Sequence, residues 1–177
     1  LKNGLVLQID NLSIRAYKAS DIDSLVANAD EKEVWRNLRD RFPHPYTKKD
    51  AREWIELASD FRPVTNFAIT VDDQCVGGIG LALNQDVHRK SGEIGYWLGK
   101  KFWGQGIVSR LLGPTTDYFF SEHDIVRIYA FVFDWNPASA RVLKKAGYEC
   151  EGRLKKSVFK DGNYCDQLMF ARIKQEL

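Results

Sequence analysis

Glu93-Ile94-Gly95-Tyr96-Trp97-Leu98-Gly99, followed at once by Lys100-Lys101-Phe102-Trp103-Gly104-Gln105-Gly106-Ile107-Val108, is the stretch on which the fold depends. Its first half reads as the end of a strand from Ser91 to Leu98. Its second half is punctuated by glycine and leads into Leu111 and Leu112 at helical spacing, predicting a helix over Gly104 to Phe120. The first turn of a helix has unpaired amides and a partial positive charge, and glycines let a diphosphate approach those amides closely. Lys101 adds local charge. Taken alone, two glycines at a strand-to-helix junction more often serve turn geometry than anion binding. A dinucleotide fingerprint needs a third glycine and an acid about 20 residues on, and a Walker loop needs Gly-Lys-Ser/Thr. This stretch has neither.

Upstream, Leu12 to Tyr17 alternates as a half-buried strand. Ser20 is placed to cap a helix from Asp21 to Ala29, with Ile22, Leu25, Val26 and Ala29 as its apolar stripe. Trp35 and Leu38 suggest a helical turn before Pro43 and Pro45 impose a loop. Thr47 and Asp50 form a capping box for a helix to about Ser59. Asn66 to Val71 and Cys75 to Leu83 read as a hairpin around Asp72-Asp73-Gln74, with Gly77, Gly78 and Gly80 marking a bulge or a close backbone approach. Downstream, Gly113-Pro114 is expected to kink or interrupt the long helix. A strand from Arg127 to Phe133, a helix from Pro137 to Ala146 and a hairpin of Tyr148 to Phe159 with Tyr164 to Ile173 complete the chain. Strands that pair as hairpins alongside helical crossovers give a mixed-sheet α/β domain, read as one domain over residues 1–177.

The 177 residues, 44% of them hydrophobic, are enough for a full core. Twenty-six basic against 24 acidic residues leave a net charge of +2, which provides no field for a nucleic-acid partner. Cys75, Cys150 and Cys165 have no metal-ligand spacing, so neither structural zinc nor another metal is expected, and reduced thiols suit a cytoplasmic location. No signal peptide or membrane-spanning run is visible.

A second element follows in order: the strand Arg127 to Phe133, then Asn136-Pro137-Ala138-Ser139 and, through Leu143, Gly147-Tyr148. With it, the sequence resembles the GNAT superfamily of N-acetyltransferases, whose pyrophosphate loop has the pattern [Gln/Arg]-x-x-Gly-x-[Gly/Ala] after a central strand. Here it reads Lys101-x-x-Gly104-x-Gly106. The closing Lys160 to Asp166 is similar to the branch containing the ribosomal-protein N-terminal acetyltransferases. The resemblance covers Leu12 to Ile173. It implies a mostly antiparallel sheet of about seven strands, flanked by helices and splayed between its fourth and fifth strands, with acetyl-CoA in the gap. It also implies that Trp97, Leu98 and Gly99 meet the pantetheine arm, and that Lys101 and the run Trp103, Gly104, Gln105, Gly106, Ile107 and Val108 meet the pyrophosphate. Asn136 and Ser139 would contact the cofactor arm from the later helix. The partners implied are acetyl-CoA and an amine acceptor, on a monomer or homodimer. Two departures stand out. Lys101 replaces Gln or Arg, and Leu143 occupies a position where many members carry a tyrosine that protonates the leaving thiolate.

Amine acetylation needs an unprotonated amine, and α-amines have a pKa of about 8 while lysine lies near 10.4, so a base assists. Glu93 is the candidate base, with a solvated strand-end carboxylate as the competing reading. Ser139 is the candidate thiolate acid or thiol partner, with a helix-capping hydroxyl as its competitor; Asn136 before Pro137 equally suits an N-cap. Tyr148 is read as core. His44, His88 and His123 show no paired partners in the sequence and read as surface residues. Trp35 and the loop Arg39 to Tyr46 are expected to line the acceptor pocket. The function expected is acetyl transfer from acetyl-CoA to a primary amine in a ternary complex. The alternative is a catalytically silent acyl-CoA-binding sensor.

Overall fold

A computed structural model describes residues 4–175. The chain divides into two compact units, one made of the chain up to Gly80 with Gly95–Ile107, the other of Leu81–Ile94 and everything from Val108. Strands β4 and β5 contribute to both. Eight strands share one hydrogen-bonded order, β1-β2-β3-β4-β5-β6-β8-β7, in a mostly antiparallel sheet with helices between its strands.

The first unit holds β1 (Leu5–Ile9), β2 (Leu12–Arg15), α1 (Ile22–Ala29), α2 (Lys32–Arg36), α3 (Lys48–Asp60), β3 (Asn66–Val71) and most of β4 (Gln74–Leu83). The strand count exceeds the expected seven by β1. The signal for it was available: Leu5, Leu7 and Ile9 alternate, and Asp10-Asn11 forms the two-residue loop, with Asp10 at φ 52°. The β3/β4 turn is also a two-residue loop, its Asp72 and Asp73 both at positive φ (50° and 62°), the backbone that matches the twist of paired strands. Gly77 and Gly78 mark a close approach. A Cβ on Gly77 would collide with the Trp97 carbonyl oxygen, and one on Gly78 with Tyr17 Oη and Trp97 Nε1.

Helix α1 buries Leu25 and Ala29 as its periodicity predicts, against Tyr17, Tyr46, Ala51, Ala58 and Cys75. Burial pushes the Cys75 thiol up to about 12, so this cysteine is a small core residue rather than a nucleophile. Thr47 and Asp50 make the capping box: the Asp50 amide donates to Thr47 Oγ1 at 3.3 Å, and the Thr47 amide donates to Asp50 Oδ2 at 2.8 Å. Such a cap contributes about 1 kcal/mol. Ser20 does not cap α1. It lies in a 3-10 turn, Ala19–Asp21, and the organising side chain is Asp21, which accepts from the Lys18 amide at 2.8 Å and from both terminal nitrogens of buried Arg15 at 2.8 Å. A carboxylate that meets a guanidinium fork outcompetes a hydroxyl for this role.

The second unit holds the end of β4, β5 (Ser91–Leu98) through Ile94, α4 (Ile107–Glu122) from Val108, β6 (Arg127–Phe133), α5 (Pro137–Lys145), β7 (Glu149–Lys160) and β8 (Asn163–Ile173). Its parallel ladder pairs Ser91, Gly92 and Glu93 of β5 with Arg127, Ile128 and Tyr129 of β6. Along β6, Ile128, Ala130 and Val132 point into a core shared with Leu111, Leu112, Phe119, Leu143 and Phe170. Tyr148 belongs to this core, its hydroxyl 2.8 Å from Thr116 Oγ1. Contrary to expectation, α4 is not interrupted at Pro114. The Thr115 and Thr116 hydroxyls bond the Leu111 and Leu112 carbonyls, Arg172 reaches the Gly113 carbonyl, and burial of the surrounding turns outweighs the lost backbone bond.

His123, just past α4, has a buried Nε2 with no partner among the described residues, and burial lowers its pKa. A depressed histidine pKa keeps the folded form neutral while the unfolded chain protonates near pH 6.5, so stability falls as pH drops below about 6.5. Chemical denaturation at pH 7.5 and 5.5 should show a loss that shrinks in His123→Phe. An equal loss in both proteins would remove His123 as its source.

Candidate active site

The glycine turn is fastened from within. The Gly99 amide donates to Val76 O at 2.8 Å, joining the end of β5 to β4, and the Phe102 and Trp103 amides donate back to Gly99 O and Lys100 O. The Trp103 indole donates to Leu98 O at 2.8 Å, and the Gln105 side-chain amide donates to Lys101 O at 2.9 Å. Gly104 and Gly106 both lie in the left-handed region, at φ 75° and 74°, which only glycine adopts without strain. No heavy atom lies within 4 Å of where a Cβ would stand on either. The turn therefore faces open space, and among the described residues no acceptor takes the amides of Gly106 and Ile107.

A pyrophosphate fits this donor set, because first-turn amides at a helix start supply directed donors and partial positive charge. Of the two lysines, Lys100 is engaged by Glu33 of α2 at 2.5 Å, which raises the lysine pKa and lowers that of the carboxyl. Lys101 rests over the Phe102 ring at 5.1 Å and remains the nearer candidate for phosphate charge. Trp97 packs its ring against Phe42 at 5.5 Å. Leu98, Ile107 and Val108 are buried, whereas Trp103 is substantially exposed.

In the second unit, Asn136 caps α5: its Oδ1 accepts from the Ser139 amide at 3.2 Å, with Pro137 in the first helical position. The capping reading of Asn136 is thus realised, and Ser139 takes part through its amide. Glu93 is half-buried opposite Tyr129, whose hydroxyl bonds Asn84. Leu143 is fully buried, which suits packing and offers no proton. Asp166 orders the last hairpin, accepting from the Lys156 amide at 2.7 Å and from Arg153 Nε at 2.6 Å.

One set of residues departs from the expectation. His44 has a partner: its Nδ1 lies 3.4 Å from Asp30 Oδ1, and its ring lies tilted by 31° against Trp35 at 6.0 Å between centroids. No local spacing announces this pair, since 14 positions separate Asp30 and His44 in the chain and only the packing of loop on helix joins them. Among the described residues no group of three or more His, Cys, Asp or Glu side chains is placed to hold a metal, and no helix is long and apolar enough to cross a membrane.

The chain thus combines a mixed sheet that has a parallel pair with an open glycine turn between a strand and a long helix. Residues 11–149 match the Acetyltransferase (GNAT) domain, and the chain belongs to that family. It is 28% identical to the SPbeta prophage-derived uncharacterized N-acetyltransferase YokL of Bacillus subtilis, over 94% of this chain and 92% of that protein. It is 32% identical to the ribosomal-protein-serine acetyltransferase of Escherichia coli, over 60% of this chain and 59% of that protein. Its fold matches RimL, a ribosomal L7/L12 alpha-N-protein acetyltransferase solved with coenzyme A, at a TM-score of 0.84 and 23% identity, covering 96% of this chain and 98% of that one. The protein is an acetyl-CoA-dependent N-acetyltransferase.

Proposed function

We propose that this enzyme acetylates the α-amino group of a polypeptide by direct transfer, with residues 1–177 acting as one acetyltransferase domain. The observation that carries the donor half is the open turn at Gly104 and Gly106, with the free amides of Gly106 and Ile107. The acceptor class is supported by the similarity to the ribosomal-protein-serine acetyltransferase.

Acetyl-CoA bound at the turn supplies a thioester whose carbonyl the amine attacks. Gly106, Ile107 and Lys101 hold the diphosphate, while Trp97, Leu98 and Gly99 align the pantetheine arm. Asn136 contacts that arm while capping α5. Glu93 takes the amine proton, directly or through water, and the Ser139 hydroxyl supplies a proton to the departing thiolate. With Leu143 in the family's tyrosine position, Ser139 is the remaining hydroxyl on that helix turn.

Glu93→Gln should lower kcat by about 10²-fold or more, the usual size of a general-base contribution, while CoA affinity is unchanged. Unaltered turnover from pH 6 to 9 would remove Glu93 as the base. The acceptor class is tested by mass spectrometry on peptides carrying a free α-amine and an internal lysine. Modification should fall on the α-amine; exclusive lysine acetylation would overturn the reading.

A further inference from the structure

The two residues that open the glycine turn are each held from the segment of α1 and α2, and in different ways. Gly99 is clamped by a buried side chain. Asn28 of α1, 2% exposed, donates through Nδ2 to Ser24 O at 2.8 Å and to Cys75 O at 3.1 Å, and a Cβ on Gly99 would stand 2.4 Å from its Oδ1. With the Gly99 amide bound to Val76 O, the end of β5 is fixed between α1 and β4. Lys100, the next residue, is held at the surface. Its Nζ meets Glu33 Oε1 of α2 at 2.5 Å, the two side chains are 49% and 51% exposed, and Glu31 adds to the negative field on the lysine. Lys100 also belongs to the turn itself: it starts the 3-10 segment Lys100–Phe102, and its carbonyl accepts from the Trp103 amide at 3.1 Å just before Gly104.

We propose that the cofactor diphosphate and Glu33 compete for Lys100, so that Glu33 sets how tightly the turn holds CoA. A lysine ammonium is a point charge on a flexible stem, and an exposed ion pair gains little in water, so exchanging a carboxylate for a phosphate costs little. The diphosphate carries more charge than one carboxylate and keeps the lysine once bound. Because the backbone at Gly99 is clamped, the exchange moves a side chain and leaves the turn in place. Lys101 rests on the Phe102 ring and has no carboxylate partner among the described residues, so it serves the phosphates without competition. The adjacent lysines thus provide one standing charge and one conditional charge. Glu33 is a positioning residue in this account: it acts on the cofactor through Lys100.

The inference rests on the reading of the glycine turn as the diphosphate site, and it can be measured without turnover. The probes are CoA and dephospho-CoA, which keeps the diphosphate and lacks the 3′-phosphate, and affinity is read by calorimetry. Glu33→Gln should tighten both ligands about two- to fivefold, the size of an exposed ion pair, and the gain should shrink in high salt. In a Lys100→Gln background the same change should bring no measurable gain. Both side chains are exposed, so all variants should melt as the wild type does. An unchanged or weaker affinity in Glu33→Gln would overturn the competition. So would an equal gain with and without Lys100, which would leave only a general field effect, or a gain seen with CoA alone, which would assign Lys100 to the 3′-phosphate. Gly104→Glu keeps the two readings apart. Normal CoA binding in that variant would count against the turn itself, whereas loss of binding there beside an unchanged Glu33→Gln would remove only the role of Glu33.

Discussion

Gly104→Glu should abolish CoA binding and leave the protein folded. The space beside Gly104 is open, so a side chain there displaces no packed atom. Its cost to stability comes from the backbone: a φ of 75° in a non-glycine residue costs about 1–2 kcal/mol. The cost to binding is larger, because the new carboxylate adds negative charge two residues from the amides of Gly106 and Ile107, where a diphosphate needs positive partners. Gly104→Ala separates the two effects, since it imposes the same strain without the charge. Calorimetry should find no CoA binding in Gly104→Glu and a weakened but measurable affinity in Gly104→Ala. Equal affinities in both variants would mean that the turn acts only as a joint in the chain.

The second large effect is on stability. Arg15 and Asp21 are both buried, joined by two bonds of 2.8 Å, and Asp73 adds a further bond to Arg15 Nε at 2.6 Å from a mostly exposed position. Burial alone would lower the pKa of this guanidinium, but the bonds to Asp21 and Asp73 outweigh it and raise it. Asp21→Ala leaves a buried cation with the exposed Asp73 carboxylate and the carbonyls of Ala16 and Asp73, and breaking a buried pair from one side costs about 3–5 kcal/mol. Against a total stability of roughly 5–15 kcal/mol that is a large share. Urea denaturation should show it as a shifted midpoint, and the double change Arg15→Met with Asp21→Leu should recover much of it, because the uncompensated charge is gone. A loss below about 1 kcal/mol in Asp21→Ala would mean that the pair is solvated.

Elements with strong local signals were legible in the sequence. Period-two alternation placed β2 as a strand, although all four of its residues are buried and not half of them, because Ser13 pairs with Thr70 and Arg15 with Asp21; helical stripes gave α1 and α3, and the Thr47–Asp50 box fixed where α3 begins. The Asp72-Asp73 and Asp161-Gly162 turns set the two long hairpins. What failed depended on partners distant in the chain. Pro114 obeys burial of its helix rather than local preference, and the start of α1 is set by a carboxylate facing Arg15 rather than by Ser20. The candidate site divides the same way. The donor side is read from contiguous residues, Trp97 to Val108, because a phosphate turn is made mainly of backbone. On the acceptor side, Trp35 and the loop Arg39 to Tyr46 are singled out from the sequence, whereas the contact of Asp30 with His44 is not, because a helix end and a proline-containing loop meet only through packing.

The most direct test is thiol release from acetyl-CoA, followed with a chromogenic thiol reagent as peptides with free α-amines are added. Acceptor-dependent release of CoA, with one acetyl group gained by the peptide for each thiol freed, is the predicted result. Tight CoA binding without thiol release from any peptide or amine would contradict it.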